Sequence, residues 1–298
     1  MRIVSDTDLP DLADVEARVR AAIHRRDSSG LRLLGHGEVS IVLGWPTDEP
    51  VHALKRVPPF RTAALAQQYI DACEQNFAVL RAAEVQLWPT SLHTVVRDDG
   101  RVVVYHRQPV ADPVQIGSNV LRAAEPADSH PLLDVIVASV VRVVTPTVGF
   151  DVQVANWLWD GTTAQQLDFT SPFLMTPARD DLLFDTSGFL QEYPAVLRPL
   201  LRRELTTLIR RLTTAEGAIG DMISNLHKEG LHQWVDPAIR AARNVAGVSV
   251  DKATAIKMYE DDKKLMPVAL KLKKVQRAWL VRTGRTYDSL LPDRTTYE

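Results

Sequence analysis

The run Gly35-His36-Gly37-Glu38-Val39-Ser40-Ile41-Val42 carries two glycines and a small serine between β-compatible stretches. Missing side chains there let backbone N–H groups approach an anion, which suits a hairpin folded over phosphates. An ordinary tight turn uses the same residues. A dinucleotide-binding turn is disfavoured, because it needs a helix directly after the glycines and a strand is expected instead. Next comes Lys55, in Ala53-Leu54-Lys55. Flanked by apolar residues on a strand, its ammonium faces either a specific site or solvent. Further on, Asp151 and Asn156 stand in Asp151-Val152-Gln153-Val154-Ala155-Asn156, and Asp168 follows in Leu167-Asp168-Phe169-Thr170.

Elements that position these residues follow from periodicity. The first 25 or so residues read as a helix. Leu31 to Leu34, Val39 to Leu43 and His52 to Val57 are short, β-compatible and bounded by Gly, Pro or Asp. Arg61 to Ala83 reads as a helix, with Leu65, Tyr69, Ala72, Asn76, Val79 and Leu80 at three- and four-residue steps. Strands at Ser91 to Arg97 and Val102 to His106 are joined by Asp98-Asp99-Gly100-Arg101, a hairpin signal. After Gln108-Pro109 the character changes: Val114 to Ala124 and Pro131 to Val144 read as helices. Trp157-Leu158-Trp159, the turn Asp160-Gly161 and Ala164 to Phe169 form a β-like insertion. From Glu192 onward the pattern is helical, with Leu197, Leu200, Leu201, Leu205, Leu208, Ile209 and Leu212 as one apolar stripe. The fold class is α+β, with a strand-rich N-terminal part (residues 1–108) hinged near 107–110 to a helical part (109–298).

Composition narrows the function classes. The chain has 298 residues, 45% of them hydrophobic and 24% charged, an ordinary globular profile. Its net charge of -2 argues against a nucleic-acid partner. A single cysteine, Cys73, excludes an intrachain disulfide framework and multi-cysteine zinc sites. The acidic start lacks a signal-peptide pattern, and the longest apolar stretch, Leu132 to Val144, is broken by Asp134, Ser139 and Arg142. A cytoplasmic protein with no membrane partner is the expectation.

Taken in order, the glycine hairpin, Lys55, the Asp151-to-Asn156 loop and Asp168-Phe169 resemble the protein-kinase-like superfamily, nearest in style to aminoglycoside and choline phosphotransferases. The resemblance runs from about Leu31 to Phe169, roughly half the chain. It implies a two-lobed α+β fold and Mg²⁺-ATP-dependent transfer of a phosphoryl group to a hydroxyl. Lys55 would meet the α/β-phosphates, held by Glu74 on the following helix, with Asp71 and Glu84 as competitors. Gly35, Gly37, Ser40 and Val42 would cover the nucleotide, and Gln108 to Val110 would meet the adenine edge. Asn156 and Asp168 would hold Mg²⁺, and Asp151 would take the proton of the attacking hydroxyl.

Departures from the superfamily pattern bear on activity. Gly149 stands where a loop-bracing His is usual, and Thr170 follows Asp168-Phe169 in place of Gly. Intact Lys55, Asp151, Asn156 and Asp168 favour a phosphotransferase acting on a small molecule or a peptide Ser/Thr. The alternative is a non-catalytic, pseudokinase-like nucleotide-binding or scaffold protein, which Gly149 favours. His227 and His232, spaced i, i+5, do not align on one helix face. Asp180, Asp181 and Asp185 could attract a cationic substrate or merely face water. Basic residues from Lys263 to Arg285 form either a solvated helix face or a docking surface for an acidic peptide or protein partner.

Overall fold

Short runs of β-branched and aromatic residues, each cut off by Gly, Pro or Asp, build an antiparallel sheet in the first third of the chain. The computed structural model describes residues 11–36, 40–284 and 287–290. Its strands are β1 (Leu33–His36), β2 (Ile41–Trp45), β3 (His52–Arg56), β4 (Ser91–Val96) and β5 (Val102–Pro109), in the order β1-β2-β3-β5-β4. Helix α1 (Leu12–Arg25) opens on Asp11, whose carboxylate caps the Ala13 N–H. Helix α2 (Ala63–Ala82) lies between β3 and β4, capped by Thr62.

Side chains alternate across each strand, so the two sheet faces have different partners. Val15, Val19 and Ile23 of α1 cover the face carrying Ile41, Leu43, Leu54, Val103 and Tyr105. The opposite face, with Val102 and Val104, joins α2 and the main core. Strand β5 runs to Pro109, three residues past the expected end, because His52 and Ala53 pair with Pro109 and Gln108. Pro109 lacks an N–H, and one further backbone bond, from Val110 N–H to Val51 O at 3.1 Å, follows it.

Beyond β5 come α3 (Gly117–Ala123), α4 (Pro131–Val143), the hairpin β6 (Trp157–Trp159) and β7 (Ala164–Gln166), the single turn α5 (Ser187–Leu190), α6 (Arg198–Leu212), α7 (Ala215–Lys228), α8 (Val235–Ala246) and α9 (Lys252–Arg282). Leu132, Leu133, Ile136, Val137 and Val140 of α4 are fully buried, the pattern of a core helix. The β6–β7 hairpin is fastened to the segment that follows α2: Trp88 N–H donates to Gln166 O and Gln166 N–H to Gln86 O, each at 2.8 Å. No helix among the described residues is long and apolar enough to cross a membrane.

Three sequence expectations change here. The leucine stripe of α6 is not a buried seam, since Ile209 and Leu212 are buried while Leu200 and Leu208 are exposed. His232 lies beyond the end of α7 in a short turn, which brings its Nδ1 to 2.9 Å from His227 Nδ1 despite the spacing. On α9, Lys273 turns inward to Glu192 at 2.6 Å and Arg277 sits over the Tyr287 ring, whereas Lys271 and Lys274 face water. The side chains of Lys263 and Lys264 and residue Arg285 lie outside the described residues. Past α9 the chain returns to the sheet, where the Asp288 carboxylate meets Arg97 at 2.6 Å and also meets Arg101.

Candidate functional site

Gly35, Val42, Lys55 and His106 are consecutive cross-strand partners on β1, β2, β3 and β5, and so form one row. From that row the buried Lys55 sends its Nζ to Asp168 Oδ1 at 3.3 Å and to Leu167 O at 3.3 Å. Ser40 is buried beside the row; Gly37 lies outside the described residues. Glu74 is not the partner of Lys55. It stands on the exposed side of α2, while Tyr69, Asn76 and Phe77 face inward. Helical phase decides this: Glu74 sits one position past Cys73, outside the buried stripe.

Asp168 is delivered by the β6–β7 hairpin. Trp157 pairs with Gln166, and the Leu167 N–H donates to Asn156 O at 2.7 Å, so Asn156 lies opposite the residue preceding Asp168. Phe169 is buried edge-on against Phe77, with ring centroids 5.1 Å apart, and anchors the chain after the carboxylate. Thr170 donates to Asp168 Oδ1 from its N–H at 3.0 Å and its hydroxyl at 2.8 Å. Burial pushes the Asp168 carboxyl up, but the Lys55 ammonium and the Thr170 donors outweigh it and hold the group at about 2. Oδ1 therefore takes three donors, and Oδ2 has no hydrogen-bond partner among the described residues.

A small pocket joins Asp168 to Asp151, with Asn76, Gln166, Thr170 and Phe173 in its wall. The Asp151 carboxylate accepts the Gln153 N–H at 3.2 Å. Two glycines set this loop. A Cβ on Gly149 would meet Phe173 Cβ at 3.1 Å and the Leu212 backbone at 3.4 Å, so any side chain there requires its neighbours to shift by a few tenths of an ångström. The Gly149 N–H bonds Phe173 O at 2.8 Å. A Cβ on Gly117 of α3 would lie 2.5 Å from Val154 O, within the Asp151-to-Asn156 loop. A larger cavity of about 320 Å³ beside Phe77, Trp88 and Phe169 reaches neither Asp151 nor Asp168.

The expected adenine edge is internally occupied. Val110 N–H donates to Val51 O at 3.1 Å, and Pro109 O accepts from Trp88 Nε1 at 3.0 Å. Gln108 is buried, and its Nε2 donates to Thr90 Oγ1 at 2.9 Å and to Leu167 O at 2.7 Å, joining Lys55 on that carbonyl. Gln108 thus braces the Asp168 segment rather than presenting a free edge. The acidic run is capped locally: Asp180 binds Thr176, Asp181 binds Arg202 and Asp185 binds Ser187.

Residues that sequence reasoning passed over are Asn76, Gln166, Thr170, Tyr69 and His106. Asn76 was visible as a polar residue inside the apolar stripe of α2. For Gln166 the signal exists only in three dimensions: it is buried, and its Oε1 has no hydrogen-bond partner among the described residues. Asp168 Oδ2, Gln166 Oε1 and the Asn156 amide are hard oxygen donors suited to Mg²⁺. No group of three or more His, Cys, Asp or Glu poised for a metal occurs among the described residues.

A model of a protein family described as a family of unknown function (DUF6206) matches residues 14–277. No curated protein matches. Among solved structures, the chain is similar to a mutant of the Mycobacterium tuberculosis PknI kinase domain at 16% identity, over 74% of this chain and 96% of that one. The TM-score is 0.29, too low to establish a shared fold.

Proposed function

The chain belongs to the DUF6206 family of unknown function, and we propose that it is a Mg²⁺-ATP-dependent phosphotransferase that passes a phosphoryl group to a hydroxyl of a small molecule or a peptide Ser/Thr. The observation that carries this reading is the buried Lys55 ammonium at 3.3 Å from Asp168, whose carboxylate shares a pocket with Asp151. A buried cation and two carboxylates at one pocket are the positioning and charge-neutralising parts that phosphoryl transfer needs. In the same reading the sheet with α2 is one lobe, and α3 onward is the other.

Each group then has a role. Lys55 binds the phosphate oxygens, and the row Gly35–Val42 beside it roofs the nucleotide. Asp168 and Asn156 hold Mg²⁺, with Gln166 Oε1 as a further oxygen donor. The bound ion supplies positive charge against that building on the phosphate. Asp151 orients the acceptor hydroxyl and takes its proton.

A second reading, nucleotide binding without transfer, is favoured by the exposed Glu74, which leaves Lys55 without a carboxylate on α2. Thermal-shift titration with Mg²⁺-ATP tests both. A native-state ligand at a hundredfold excess over Kd stabilises by about 2.7 kcal/mol. Lys55→Ala and Asp168→Asn are expected to abolish the shift. ADP appearing with an acceptor selects transfer; a shift with no turnover across a panel of acceptors selects binding alone. No shift in the wild type overturns both.

A further inference from the structure

Because Glu74 points to solvent, some other group must fix the Lys55–Asp168 pair between the sheet and α2. The buried polar atoms behind that pair supply one. His106 is the direct cross-strand neighbour of Lys55 and is completely buried. Its Nε2 lies 2.8 Å from the hydroxyl of Tyr69, itself fully buried on α2. The Tyr69 hydroxyl lies 2.9 Å from Thr170 O and donates to it. Having spent its one proton, Tyr69 Oη accepts from His106, so the imidazole carries its proton on Nε2. His106 Nδ1 has no partner among the described residues, as suits a bare lone pair better than a buried N–H.

The links close into a circuit. Tyr69 holds the Thr170 carbonyl, Thr170 holds Asp168 Oδ1 through its N–H and hydroxyl, and Lys55 holds the same oxygen. His106 returns the circuit to the strand that bears Lys55. We infer that Tyr69 and His106 are positioning residues that hold the Asp168–Thr170 segment onto Lys55 through neutral hydrogen bonds, in place of a carboxylate on α2. Their importance for nucleotide binding rests on the function proposed above.

Packing alone does not account for the two polar groups. Tyr69 stacks among Phe60, Phe184 and Phe189, with centroids 5.1 to 6.0 Å away, and a phenylalanine would fill that aromatic cluster equally well. A buried hydroxyl with no partner is costly, and His106, Thr170 O and the neighbouring Cys73 thiol offset that cost at Tyr69. Neutrality also matters chemically. A glutamate at this place would compete with Asp168 for the Lys55 ammonium, whereas Tyr69 and His106 leave that charge pair intact.

The test uses the full chain carrying Tyr69→Phe, His106→Leu or His106→Gln, the last retaining an N–H donor. Two readouts are taken: exchange of the Thr170 amide by NMR without nucleotide, and the Kd for Mg²⁺-ATP. Tyr69→Phe and His106→Leu are expected to speed Thr170 exchange about tenfold and to weaken Mg²⁺-ATP by a similar factor, the worth of one buried hydrogen bond. His106→Gln should restore most of both. Unchanged Thr170 exchange in Tyr69→Phe, or a His106→Gln protein indistinguishable from His106→Leu, overturns the circuit. Wild-type protein that takes up no Mg²⁺-ATP overturns the nucleotide reading, and the exchange measurement then decides the circuit by itself.

Discussion

Removing the carboxylate of Glu16 should unfold the chain at markedly lower urea, although Glu16 lies on the sheet face away from Asp168. Glu16 and Arg56 are each about 3% exposed at the side chain. Arg56 donates to Glu16 from Nε at 2.7 Å and from Nη2 at 2.9 Å, and the Tyr105 hydroxyl donates at 2.6 Å. Burial alone would push the Arg56 guanidinium down, yet its hydrogen bonds and charge pairing with Glu16 raise it above its ordinary value. Glu16→Ala leaves that cation buried with neutral acceptors alone, the Asp288 carbonyl 3.1 Å from its Nη1 and the Tyr105 hydroxyl. Breaking one side of a buried ion pair costs about 3–5 kcal/mol. Against a total stability of about 5–15 kcal/mol, the urea midpoint should fall by about a fifth or more. Replacing both partners, Glu16→Met with Arg56→Met, removes the stranded charge and should recover at least half of the loss. Equilibrium urea titration followed by tryptophan fluorescence at pH 7 reads all three proteins. A Glu16→Ala cost under about 1 kcal/mol, or a double variant no better than the single, refutes the reasoning.

Two further predictions concern pH and the loop of Asp151. Burial first, and the Lys55 charge second, hold the His106 imidazole at about 3, below its ordinary 6.5. The unfolded chain therefore binds the extra proton between those values, and stability should be fullest above pH 6.5 and fall as acid is added, by about 1.4 kcal/mol per pH unit. His106→Gln should remove that part of the slope in urea titrations at pH 7, 6 and 5; an unchanged slope contradicts the burial argument. Gly117→Ala drives a methyl against Val154 O and should cost about 1–3 kcal/mol. Its Mg²⁺-ATP response should weaken too, and an unaltered response shows that Val154 does not set the Asp151-to-Asn156 loop.

Much of the frame was legible in the sequence. The strands were bounded by Gly, Pro and Asp, the Asp98-to-Arg101 turn joined β4 to β5, and three- and four-residue apolar steps marked α2. Local signals of that kind act within a few residues. The partner of Lys55 was not legible, because Asp168 arrives by a hairpin from far along the chain while Glu74 lies nearby in sequence. The adenine edge failed for a related reason. Whether the Val110 N–H is free depends on Val51, which only strand register decides. Tyr69 and Asn76 did stand in the apolar stripe of α2, but periodicity reports that a position is buried and not what its polar atoms meet. On α6 the apolar stripe is buried only at Ile209 and Leu212, since burial requires a neighbour that periodicity cannot supply.

The central claim is that a metal–nucleotide complex binds at Lys55 and Asp168. Titrating isotopically labelled protein with Mn²⁺-ATP, and mapping which amides the paramagnetic ion broadens, tests it most directly. Broadening centred on Asn156, Gln166 and Asp168, absent with Mn²⁺ alone at the same concentration and lost in Lys55→Ala, is the predicted result. Broadening that is absent, or centred elsewhere on the chain, contradicts it.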